Sequence, residues 1–122
     1  MPGLPPLSYA LIETSLREEM ERQDELTKEF ARHVEALSSA EAEYKFRFAE
    51  ERLHARMAGE HEGRKMTADM ADDLATINTD SERRAMERAK AKLDATRQSL
   101  STARSQIDSL RSLMATYREA GV

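Results

Sequence analysis

Cysteine and tryptophan are absent from the 122-residue chain, and aromatic residues make up only 5% of it. Without Cys there is no disulfide framework, no thiolate zinc site and no Cys nucleophile, and the composition suits a reducing compartment. So few aromatics make a compact single-chain core hard to fill. No apolar run approaches the roughly 18 residues that a membrane span needs. The opening Met1-Pro2-Gly3-Leu4-Pro5-Pro6 has neither the positive region nor the apolar stretch of a secretion signal. The expectation is a cytoplasmic protein with no membrane partner. What the chain does contain is Ala, Glu, Arg, Lys, Leu, Met and Ser, the residues of long helices and coiled coils.

Helix breakers are as scarce as aromatics. All three Pro fall in the first six residues, and Gly occurs only at 3, 59, 63 and 121. A Pro-rich, flexible lead-in over 1–7 is followed by Ser8, which can cap a helix running unbroken to Ala58. That arm would be about 76 Å long at about 1.5 Å per residue. A tip at Gly59–Gly63 separates it from a second arm over 64–120. Asn78-Thr79-Asp80-Ser81 clusters poor helix formers, with Glu82 placed to complete a capping box on Thr79. The second arm is therefore read as a short helix at 64–78, a break near 78–81, and a long helix at about 81–119. The fold class is all-α: a long antiparallel helical hairpin, coiled-coil-like, forming one domain over 8–122.

Heptads dominate the second arm. Met86, Leu93, Leu100, Ile107 and Met114 recur every seven residues, with Ala89, Thr96, Ala103, Leu110 and Tyr117 three residues behind. The first arm carries a broader stripe of Tyr9, Ile12, Leu16, Met20, Leu26, Phe30, Val34, Leu37, Tyr44 and Phe48. Met66, Met70, Leu74 and Ile77 form a third. Two helices bury one seam between them, so further copies are expected to cover the rest. The sequence predicts a ring or bundle homo-oligomer with Met86, Leu93, Leu100, Ile107, Leu110 and Met114 in the oligomer seam.

The net charge of −4 conceals a gradient. Residues 1–58 hold 8 basic and 12 acidic side chains, 59–80 hold 2 and 6, and 81–122 hold 9 and 5. Arg83, Lys90, Arg97, Arg104, Arg111 and Arg118 repeat every seven residues beside the seam. This row either pairs with acids of a neighbouring helix, such as Glu13, Glu18, Glu25 and Glu41, or faces a polyanion. A second cluster gathers Lys45, Arg47, Arg52, Arg56, Arg64 and Lys65 around the tip, interleaved with Tyr44, Phe46 and Phe48. Cations beside aromatics suit single-stranded nucleic acid, where phosphates pair and bases stack.

Catalysis finds little support. His33 reads as a polar residue near the seam, His54 and His61 lack the i, i+4 partner of a helical zinc site, and the Gly59–Gly63 tip lacks the Gly-Lys-Ser/Thr of a phosphate loop. A solvated helix gives no desolvated pocket in which to tune a carboxylate. The expectation is a protein that is not an enzyme and holds no cofactor and no metal.

The run from Glu43-Tyr44-Lys45 to Arg56-Met57-Ala58-Gly59, an acidic helix with Lys65 and Ala71-Asp72, and a long helix ending Ile107-Asp108-Ser109-Leu110-Arg111 together resemble the phage UvsY-type recombination mediators. Arg52-Leu53 matches that family's Arg-Leu ahead of the turn. Glu50 stands where the family has Lys, and Arg56-Met57 replaces its aromatic pair. The resemblance implies a small helical hairpin that binds single-stranded DNA in host-cell cytoplasm. It further implies loading of a RecA-like recombinase onto DNA covered by single-strand-binding protein. The competing class is a coiled-coil adaptor or scaffold without nucleic-acid binding.

Overall fold

The computed structural model describes residues 8–120, so the lead-in over 1–7 lies outside the described residues. Three helices account for nearly all of it: α1 at Tyr9–Ala58, α2 at Ala68–Asn78 and α3 at Asp80–Glu119, with strands β1 at Glu60–His61 and β2 at Arg64–Lys65 between α1 and α2. α1 packs against α3 in the expected hairpin-like arrangement, and no described helix is long and apolar enough to cross a membrane. The chain divides into two compact units, Met1–Ala31 with Ala95–Val122, and Arg32–Asp94.

The start and end of α1 follow from single residues. Ser8 Oγ accepts the Leu11 amide at 3.2 Å, satisfying a donor that has no partner within the helix. Fifty residues later Gly59 ends the helix at φ 78°, a left-handed conformation that costs Gly little.

In the first unit the inward face of α1 consists of Tyr9, Ile12, Leu16, Glu19, Gln23, Leu26 and Phe30, at alternating three- and four-residue steps. On α3 of this unit Thr96, Ala103 and Ile107 are buried, and Leu110 and Tyr117 half-buried. Ile12, Ala103 and Ile107 are the buried apolar side chains of this unit. Arg118 donates to Tyr9 Oη at 3.1 Å and Arg97 lies 5.9 Å from the Phe30 ring centroid, which fixes the antiparallel register. In this unit the α3 heptad positions Thr96, Ala103 and Ile107 are therefore buried within one chain. Met20 and Val34, expected on the α1 stripe, are instead about two-fifths exposed, and Glu19 and His33 occupy the inward steps beside them.

In the second unit α1 continues inward through His33, Leu37, Ala40, Tyr44, Arg47 and Glu51. α2 buries Ala71 and Ala75, and its C-cap Thr79 is buried one turn further on. The third stripe expected from sequence is displaced accordingly: Met66, Met70 and Leu74 are half-buried, and Ile77 is 70% exposed. Small residues on the contact face let helices approach closely, which leaves the larger neighbours at the rim.

Two local expectations require correction. Residues 64–66 are not helical: Arg64 and Lys65 form β2, and α2 starts at Ala68 behind Thr67, whose Oγ1 accepts the Met70 amide at 3.1 Å. The break at 78–81 shrinks to Thr79. Its hydroxyl donates to Ala75 O at 2.6 Å, its amide to the same oxygen at 3.1 Å, and its carbonyl accepts from Arg83 N at 3.0 Å. The Thr79–Glu82 capping box is not formed, because burial turns the Thr79 hydroxyl back along α2. Glu82 takes the Ser81 hydroxyl instead.

Candidate nucleic-acid interface

Six cations near the tip were the sequence-derived candidates, and the structure separates them into two groups. Arg47 occupies an inward step of α1. Its Nη1 bonds Glu50 Oε1, its Nη2 reaches Glu51 Oε1 at 3.1 Å, and its Nε lies 3.5 Å from Glu82 Oε1 on α3. Burial alone would lower the Arg47 pKa; Glu50 and Glu51 outweigh it, followed by Glu82, and hold it above its ordinary value. Arg52 Nε lies 2.9 Å from Asp72 Oδ1 on α2, close enough for an ion pair but misaligned for a hydrogen bond. Glu51 Oε2 also accepts from Asn78 Nδ2 at 3.3 Å. Arg47 and Arg52 thus join α1 to α2 and α3.

Lys45, Arg56, Arg64 and Lys65 form the other group. All four are exposed, and none makes an ion pair among the described residues. Arg64 and Lys65 sit on a hairpin in which Glu60 pairs with Lys65 and His61 with Arg64. The two loop residues, Glu62 at φ 51° and Gly63 at φ 77°, give the double positive φ of a type I′ turn, which matches the twist of paired strands. Cross-strand partners share a face and successive residues alternate. Arg64 therefore points with His61, and Lys65 points the other way beside Glu60. Nearness to the tip in sequence groups both cations in one patch, whereas strand pairing sends them to opposite faces. The Glu62-Gly63 step between short polar runs was the available signal for a hairpin.

Of the three aromatics, Tyr44 and Phe48 are half-buried with ring centroids 6.1 Å apart. Phe46 is 63% exposed. Its neighbours along the same face, Leu53 and Met57, are 58% and 76% exposed.

The α3 basic row divides among several kinds of partner. Arg83 bonds Asp80 at 2.6 Å and Glu87 at 3.0 Å on its own helix, while Arg97 and Arg118 lie over aromatic rings. Glu13 and Glu25 pair within α1, with Arg17 and Lys28. Lys90, Arg104 and Arg111 make no ion pair among the described residues. A second polar feature was not foreseen. In the first unit a groove of about 550 Å³ is lined by Ser15, Glu19, Ser101, Thr102, Ser105, Gln106, Ser109 and Leu110. Glu19 Oε2 is buried there without a hydrogen-bond partner.

Glu50, Glu51 and His54 bring potential ligand atoms within 4.8 Å of one another. Both carboxylates are already engaged by Arg47, whose positive charge opposes a cation in the same place. Comparison of the chain with known protein families, curated proteins and solved structures returns no match.

Proposed function

We propose that this protein binds single-stranded DNA without sequence preference and acts as a recombination mediator. In that role it would help to load a RecA-like recombinase onto DNA held by single-strand-binding protein. The observation that carries the binding reading is the set of exposed cations without ion-pair partners, Lys45, Arg56, Arg64 and Lys65, at the end of α1 and on the hairpin. The mediator role rests on the resemblance to the UvsY-type family. Phosphate contacts of this kind supply affinity without reading bases. One protomer is acidic and offers few such contacts, so weak sites repeated in an assembly would supply avidity. Arg47 and Arg52 are reassigned from contacts to positioning residues, since in-chain acids hold both.

Fluorescence anisotropy with labelled single-stranded DNA across a salt series tests the binding. The expected slope of log affinity against log salt is about −0.7 per phosphate neutralised. Arg56→Glu with Arg64→Glu should weaken binding and flatten that slope. Lys65→Glu should cost less, because Glu60 shares its face of the hairpin. A second reading, a coiled-coil adaptor, is favoured by the pairing of Arg47 and Arg52 inside the chain. Absence of binding even at low salt would select it.

A further inference from the structure

The α3 heptads, predicted to join copies, lie on the side of α3 that packs against α1 of the same chain, where Leu93, Thr96, Ala103 and Ile107 are buried. A different apolar surface is left over. On α1, Phe46, Ala49, Leu53 and Met57 follow one another at three- and four-residue steps, which places them on one face of a helix with 3.6 residues per turn. That face lies opposite the inward steps Ala40, Tyr44, Arg47 and Glu51. Its three large side chains are each more than half exposed. Phe and Met are side chains that protein interfaces favour, and clustered exposed apolar groups on a charged protein mark a contact surface.

The charges beside this stripe say which occupant fits. One flank carries Glu43 and Glu50, and the other carries Lys45 and Arg56. Glu43, Lys45 and Arg56 make no ion pair among the described residues, while Glu50 accepts one nitrogen of Arg47. Two copies of the stripe related by a twofold axis along the helix bring the acidic flank of one against the basic flank of the other. Lys45 then faces the partner's Glu50 twice, as flanking charges do in a parallel coiled coil. An antiparallel pair sets acid against acid and base against base, which is unfavourable.

We infer that a second copy of this chain docks on the outer face of α1 through Phe46, Ala49, Leu53 and Met57, in parallel. Parallel docking puts both hairpins at the same end of the pair and doubles the cations offered there. The inference stands on the stripe and its flanks, and its test contains no DNA, so it fails or survives separately from the binding reading. Phe46 becomes an interface anchor rather than a platform for a stacked base.

Sedimentation velocity of the full chain over a range of concentrations should show a reversible dimer. Leu53→Ser should shift it to monomer with an unchanged helical circular-dichroism spectrum, since the side chain is exposed and outside the core. Lys45→Glu should weaken the dimer while leaving the apolar stripe intact. Orientation is read from Glu62→Cys in this Cys-free chain: oxidation should cross-link the dimer through its two tips. A monomer at every concentration, or a dimer indifferent to both Leu53→Ser and Lys45→Glu, overturns the proposal. A dimer that loses Leu53 sensitivity or fails to cross-link through residue 62 overturns the face or the parallel orientation respectively.

Discussion

Arg47 sits at a step of α1 where the heptad pattern calls for an apolar side chain, and three carboxylates meet it there. Half-buried charges are retained only when partnered, so Glu50, Glu51 and Glu82 are as much a part of the position as the arginine. At the adjoining start of α3, the Arg83 hydrogen bond, aided by the charge of Arg84, holds the Asp80 carboxyl below its usual range. Glu82 is lowered too, first by its own backbone amide, then by Ser81 and Arg47. Both acids also oppose the positive end of the α3 dipole. Carboxyls depressed in the folded state contribute stability that is fully present above their unfolded values, near about 4. It is lost as pH falls through the lower folded values. Thermal melts should therefore show the midpoint dropping below about pH 4, with Asp80→Asn flattening that drop and lowering the midpoint at pH 7. An Asp80→Asn profile superimposable on the parent would remove this pair from the account. Arg47→Met, by contrast, should lower the midpoint at neutral pH without changing the salt slope for DNA.

Among the elements, the α2–α3 junction shows most clearly what a sequence can disclose. Asn78, Thr79, Asp80 and Ser81 correctly mark a discontinuity, because their side chains compete with the helical backbone. The size of that discontinuity depends on burial: Thr79 is enclosed, so its hydroxyl has no outlet except Ala75 O, and one residue suffices. Amide exchange should then be slow at Thr79 and Arg83, which donate to Ala75 and Thr79, and faster at Asp80, Ser81 and Glu82 between them. Uniform exchange from 78 through 83 would contradict the hydrogen bonds described. The α3 heptads were legible as an inward face, four of whose positions, Leu93, Thr96, Ala103 and Ile107, are buried. The α1 stripe was legible only in part. Reading apolar letters favoured Met20 and Val34 over Glu19 and His33, but the geometry of a two-helix seam follows the spacing and accepts polar side chains at its edges. For the candidate interface, residue types located the cations but not their partners: Asp72 and Glu82 are 20 and 35 residues from Arg52 and Arg47 in sequence.

At the scale of the molecule, charge and apolar surface are both distributed rather than pooled. The excess acid of the first arm and the excess base of α3 are partly neutralised within single helices, by pairs such as Arg17 with Glu13 and Arg83 with Glu87. Exposed pairs of that kind contribute little stability each. Stability rests instead on few buried side chains, among them Ile12, Ala71, Ala75, Leu93, Ala103 and Ile107. A chain with so modest a core gains from association, and the outer stripe of α1 offers apolar surface for it.

The hairpin between α1 and α2 has one more consequence. Every residue from Arg56 to Lys65 is exposed, and each strand is only two residues long. Connectivity and packing are therefore separable here: the peptide can be opened at the tip without uncovering a buried side chain. Brief trypsin treatment should cut first after Arg64 or Lys65, and the two fragments should elute together under native conditions. A circular permutant that begins at Met66 and joins the old termini through a flexible linker should likewise fold, turning the loop into a pair of free ends that could carry a reporter.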